Sequence, residues 1–134
     1  NFTIMLKQII VFTSISLLSS LGFSQEKFDQ RLLEKYNVEQ LSKIQRENPS
    51  DLEFLTFCLD NAFYIAKHDP AKDNKDLIRI KIADIDNINF ASLGIDLQEK
   101  NYQYFLIEGL DKLLVLRSIE HIKKDMNIKK DTNK

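Results

Sequence analysis

The sequence predicts an α+β domain: short N-terminal helices packed on a small antiparallel β-sheet of three to four strands, with a C-terminal helix. Three observations carry this. Apolar residues recur at helical spacing through residues 28–59. Strict alternation follows in "LIRIKIADI", and "NYQYFLIEGLDKLLVLRS" reads as a hairpin. A helical pattern then returns after Ser118. Helices gathered in one block and strands in the next indicate α+β rather than alternating α/β, because an alternating chain would interleave them.

In "EKFDQRLLEKY", Phe28, Leu32 and Leu33 fall on one side with charges between them, which predicts a short amphipathic helix. In "NVEQLSKIQREN", Asn37 is the N-cap, Gln40 its capping-box partner, and Val38, Leu41 and Ile44 the apolar stripe. "NPSDLEFLTFCLD" starts a third helix with Asn48 as N-cap, Pro49 at the first turn and Asp51 near the positive helix end. "AFYIAKH" is aromatic and β-branched and is assigned to a first strand; the alternative is an extension of the third helix. "DPAKDNKD" is a polar loop, and Ile78, Ile80 and Ile82 alternate with Arg79 and Lys81 as a second strand. "DNINFASLGID" is a connection with room for a helical turn. Residues 101–118 form a hairpin: Tyr102, Tyr104 and Leu106 line one face, Phe105 and Ile107 the other, and Gly109–Lys112 makes the turn. Apolar residues on both faces of that hairpin predict strands near the middle of the sheet. Ser118 caps the last helix, with Ile119, Ile122 and Met126 on one side.

The stretch "LKQIIVFTSISLLSSLGFSQEK" is read as a signal peptide spanning residues 1–24, with Met5 as a natural start. No charge lies between Lys7 and Glu26, and the apolar part is shorter than the roughly 20 residues that span a bilayer. Gly22 and Ser24 are small residues at the −3 and −1 positions of a cut between Ser24 and Gln25, where signal peptidase accepts only small side chains. An uncleaved membrane anchor and a buried helix are the competing readings. The mature chain would be a single α+β domain over residues 25–134, of about 110 residues, with a Lys-rich tail at 127–134 expected to be disordered.

The 134 residues hold 19 basic and 20 acidic side chains. Losing the leader removes Lys7 alone, which leaves 18 against 20 and a net charge of −2. That balance gives no electrostatic case for nucleic acid. The lone cysteine, Cys58, excludes an intramolecular disulfide; among Leu55, Phe57, Leu59 and Phe63 it reads as a small buried hydrophobe.

The search for chemistry mostly excludes. Only Gly94 and Gly109 remain outside the leader, too few for a phosphate-cradling loop. His68 and His121 show no metal-ligand spacing, so no metal and no cofactor is expected. "DIDNIN" opens like a calcium loop, but Ile88 and Ile95 stand where oxygen ligands belong, and Asx-turn chemistry explains Asp84 and Asp86. The residues left as binding candidates are Tyr64, Tyr102 and Tyr104 on strands, and His68 and Asp69 in the loop.

The end of the leader, "GFSQ", and the body segments "NPSDLEFLTFCLDNAFYIAKH" and "YQYFLIEGLDKLLVLRSIEHI" resemble short uncharacterised exported proteins of Bacteroidota. The resemblance covers most of the mature chain and carries no catalytic motif. It implies export to the periplasm or beyond, and no activity. The function expected is therefore that of a small exported non-catalytic binding or interaction domain. Its partner would be an envelope protein or a glycan, with the membrane touched only through an uncleaved leader. The alternative is a small periplasmic enzyme or enzyme inhibitor using His68 or His121 with nearby carboxylates.

Overall fold

A computed structural model describes residues 27–72 and 76–134. The proposed cleavage site at Ser24 and Gln25 lies outside the described residues, as does Asp73 in the polar loop. The fold is α+β. Helices α1 (Gln30–Leu33), α2 (Val38–Glu47) and α3 (Pro49–Asn61) lead into strands β1 (Phe63–Lys67), β2 (Ile78–Ile80), β3 (Gln103–Ile107) and β4 (Lys112–Leu116), and helix α4 (Ile119–Thr132) follows.

Local sequence sets most boundaries. Asn37 and Gln40 form the reciprocal capping box at the start of α2, at 2.8 and 2.9 Å. Asp29 caps α1 by accepting from the Arg31 N–H. Asn48 sits between α2 and α3 but does not cap with its side chain. Its amide donates instead to the Asp51 carboxylate at 2.8 Å, and Pro49 takes the first turn, where its missing N–H costs nothing. Segment 63–67 is a strand, as its aromatic and β-branched content predicts.

The sheet runs β1-β4-β3-β2. β3 and β4 form the hairpin, β1 pairs antiparallel with β4, and β2 lies on the far edge beside β3. Here the structure corrects the expectation of a purely antiparallel sheet: β2 runs parallel to β3. The hairpin occupies the centre, so β1 takes one edge and the chain must cross to the other before β2. A parallel neighbour then needs a long crossover, usually an α-helix. Residues 81–102 supply it, with two 3-10 turns at Ile85–Asn87 and Phe90–Ser92.

That crossover is the lid of the main core. Phe105, Ile107, Leu114 and Leu116 point inward from the two central strands, and Ile88, Phe90, Ile95 and Leu97 cover them. A second cluster joins Phe28 and Leu32 to Leu41 and Leu59, and a third joins Cys58 and Ala62 to Ile122. The crossover also docks α4: the Ile119 and Glu120 N–H groups donate to the Gln98 and Glu99 carbonyls at 2.9 and 3.1 Å.

The C-terminal tail departs from the expectation of disorder, since α4 continues to Thr132. The lysines that suggested a frayed end hold it down. Lys130 pairs with Glu53 at 2.6 Å, and Lys129 lies 5.1 Å from the centre of the Phe57 ring.

Arg31 ties α1 to α3 by bonding to Asp29 and, through both terminal nitrogens, to Asp60 at 2.6 and 3.2 Å. Hydrogen bonding to Arg31 holds both carboxyls below the usual range. A depressed folded-state pKa adds stability above the unfolded value, and that stability disappears as pH falls through the folded pKa. Arg31→Gln is expected to cost about 1 kcal/mol at neutral pH, the scale for a partly solvated network. The deficit should shrink once pH falls into the ordinary carboxylate range and vanish only below it, where the two depressed carboxyls protonate. Urea titrations of both forms at several pH values check this; a deficit independent of pH would show that packing, not charge, is lost.

Candidate functional site

The register separates the two faces of the sheet. Phe63, Ile65, Phe105, Ile107, Leu114 and Leu116 fall on the core side. The alternate residues face the other way. Tyr64 on β1, Val115 on β4 and Tyr104 on β3 make one cross-strand row, and Ala66, Leu113, Leu106 and Arg79 make the next. Tyr64 and Tyr104 are 46% and 48% exposed, which sets them apart from Val115 between them, at 2%. Two strand spacings put roughly 9–10 Å between the two tyrosine backbones.

One end of this face is polar. Tyr102, two residues before Tyr104, meets the His121 ring edge-on at 5.3 Å and interacts with the Arg117 guanidinium. Arg117 donates to the Asn61 carbonyl at 2.9 Å and pairs with Asp125 of α4. Burial raises the Tyr64 phenol above its usual range; the Tyr104 and Tyr102 phenols add to the rise, and Arg117 opposes it. The three phenols and the guanidinium therefore share one electrostatic neighbourhood. No hydrogen bond involves the Tyr64 or Tyr104 hydroxyl among the described residues, so both present free polar groups above exposed rings.

The opposite end holds His68. Its Nδ1 lies 3.1 Å from the Asp111 carboxylate, and its N–H donates to the Asp111 carbonyl, which extends the β1–β4 ladder by one rung. Asp69 leaves the sheet: its carboxylate accepts the Ala71 N–H at 3.0 Å and builds the following turn. Four of the five residues singled out in the sequence thus belong to one face, and Asp69 is a turn residue beside it.

The two histidines do not converge. His68 stands before β4 and His121 beyond its other end, separated by roughly 16 Å of strand. Among the described residues His121 has no carboxylate partner. Its Nδ1 is 2.8 Å from Ser118 Oγ, and that hydroxyl also accepts the His121 N–H as the N-cap of α4. Ser118 is fully buried, so this serine–histidine contact is a helix cap with no access for a substrate. Asp84 builds the turn expected of it, accepting from the Asp86 N–H and the Asn87 amide. No group of three or more metal-ligating side chains forms among the described residues.

Cys58 is buried between α3 and α4, where desolvation pushes its thiol up to about 12. The folded protein is therefore expected to resist iodoacetamide at neutral pH and to label only at its rate of opening. Labelling followed by mass spectrometry, with and without urea, checks this; rapid labelling of the native form would contradict the packing.

A groove of about 980 Å³ runs between α3 and the end of α4. Its charged groups are engaged: Glu53 with Lys130, Asp60 with Arg31, and Lys129 over Phe57. That leaves the tyrosine face as the better candidate for recognition.

Sequence reasoning missed Arg117, Asp111 and the edge-on contact of His121 with Tyr102. Each depends on which strand ends meet, and no local spacing reports that. Comparison of the chain with protein-family models, with curated proteins and with solved structures finds no match. Among the described residues no helix is long and apolar enough to cross a membrane.

Proposed function

We propose that this is an exported, non-catalytic binding domain whose recognition surface is the tyrosine-bearing face of the sheet. The observation that carries the reading is the pair of half-exposed tyrosines, Tyr64 and Tyr104, on the face opposite the core. Half-exposed aromatic rings with free hydroxyls suit a surface that is wet when alone and dry when occupied. Arg79 and Arg117 on this face are offset by Asp111 and Asp125 at its ends. A ligand without strong net charge, such as a neutral glycan or a polar protein surface of the cell envelope, matches that balance. The separation of His68 and His121 favours binding over two-histidine catalysis. Export rests on the leader, residues 1–24, with its charge-free apolar run and small-residue ending.

Two measurements test the reading. Mass spectrometry of the exported protein should find Gln25 at the amino terminus; an intact leader in the membrane fraction would replace export with anchoring. A photo-crosslinking amino acid at Tyr104 should trap an envelope component, and the same group at exposed Ile128 should not. The Tyr64→Ala/Tyr104→Ala double variant should lower capture about tenfold or more, the loss typical of two contact aromatics. Equal capture by variant and parent, with both folded, would place recognition elsewhere.

A further inference from the structure

A second cavity, of about 560 Å³, opens between the helices and the crossover, away from the tyrosine face. Its volume lies within the roughly 300–1,000 Å³ of small-molecule sites. The lining is mostly apolar: Leu55 and Cys58 from α3, Phe90, Ile95 and Leu97 from the crossover, and Ile119 at the start of α4. Leu55, Phe90, Ile95 and Leu97 stay only partly buried although they border core clusters. The chamber is thus apolar surface left open where three segments meet, and filling it would remove that surface from water.

Two charges line the same cavity, Lys35 just after α1 and Asp96 in the crossover. They do not pair with each other, and neither forms an ion pair elsewhere among the described residues. Asp96 is fixed through its backbone, whose carbonyl accepts the Gln103 amide at 2.8 Å. An apolar chamber bordered by one free cation and one free anion selects against ligands with a single charge. A carboxylate head would satisfy Lys35 but face Asp96, and an alkylammonium head would do the reverse. An uncharged head would leave both charges to water and gain nothing from either. A zwitterionic head on one acyl chain matches both.

We propose that this cavity binds a single-chain zwitterionic amphiphile of the lysophosphatidylethanolamine class. The acyl chain fills the apolar chamber, the phosphate turns to Lys35 and the ammonium to Asp96. The site is independent of the tyrosine face, so either one can fail without the other.

The test is calorimetric titration of the exported form with lauroyl lysophosphatidylethanolamine below its micelle threshold. Laurate, dodecylammonium and dodecyl maltoside serve as comparison probes. Saturable binding at one site is expected, tightest for the zwitterion. Lys35→Glu and Asp96→Lys should each weaken it about fivefold, the worth of one partly solvated ion pair. Both positions are exposed, so both variants should keep the parent's melting temperature. Bound amphiphile should also slow labelling of Cys58, which lines the chamber. Absence of saturable binding, equal affinity for dodecyl maltoside, or charge variants that bind like the parent would each overturn the proposal. Tightest binding of laurate, lost in Lys35→Glu, would overturn it in favour of a fatty-acid site.

Discussion

Leu114→Ala lowers the free energy of unfolding by about 2–5 kcal/mol, the range for truncating a fully buried leucine. Leu114 is at the centre of the sheet, in register with Ile65 on one side and Phe105 on the other. It is completely buried, and it packs in the cluster that the crossover covers. Truncation removes apolar contact and leaves a void that a doubly paired strand cannot collapse to fill. It also loosens the seat of Phe90, Ile95 and Leu97, none of which is held by a regular α-helix. A domain of this size has only about 5–15 kcal/mol of stability, so the change removes a large fraction of it. The measurement is the urea midpoint against Leu110→Ala, at an exposed turn position that should move by less than about 0.5 kcal/mol. Matching midpoints for the two variants would mean the sheet core is not where the stability resides.

Arg117→Met is the second large effect, at about 2–3 kcal/mol, in line with the loss of charge-assisted hydrogen bonds at a partly buried site. Arg117 follows β4 and reaches three places at once: the Asn61 carbonyl at the end of α3, Asp125 on α4, and Tyr102 before β3. Its backbone N–H also closes the last rung to the Ala62 carbonyl at 2.8 Å, and that bond survives the substitution. The loss is thus confined to the side chain. Methionine keeps much of the apolar stem but leaves three polar groups without their partner. Arg117→Lys should recover only part of the loss, because one ammonium cannot reproduce the planar fork. A double-mutant cycle with Asp125→Ala should give a coupling of about 1 kcal/mol. Zero coupling would show that the pair adds nothing to stability, whatever its geometry.

Much of the fold was legible because local physics fixed it. The Asn37–Gln40 capping box and the Ser118 cap are satisfied within three residues, so no distant contact can overrule them cheaply. The Tyr102–Tyr104–Leu106 alternation marked one sheet face, and the apolar run at Leu113–Leu116 marked a strand buried on both sides; β3 and β4 are indeed the two inner strands. Asp84 was legible as a turn residue because an Asx turn needs only its own next neighbours. Strand direction was not legible. Alternation in "LIRIKI" reports that a strand exists and which face is wet, and it is identical for parallel and antiparallel neighbours. The tail was misread for a related reason: Lys129 and Lys130 look solvated until Phe57, Asn61 and Glu53 arrive from α3.

The candidate site divides in the same way. The sequence by itself determined the α+β class and marked Tyr64, Tyr102 and Tyr104 as one set of strand tyrosines, since both rest on residue type and near-neighbour spacing. Only the tertiary structure decided that Tyr64 and Tyr104 share one row across Val115. It alone placed Arg117 against Tyr102, kept His68 apart from His121, and set Lys35 and Asp96 on one apolar chamber. These pairings depend on strand order and register, which come from burying one sheet face under a crossover. That burial is a global free-energy balance over residues far apart in the chain.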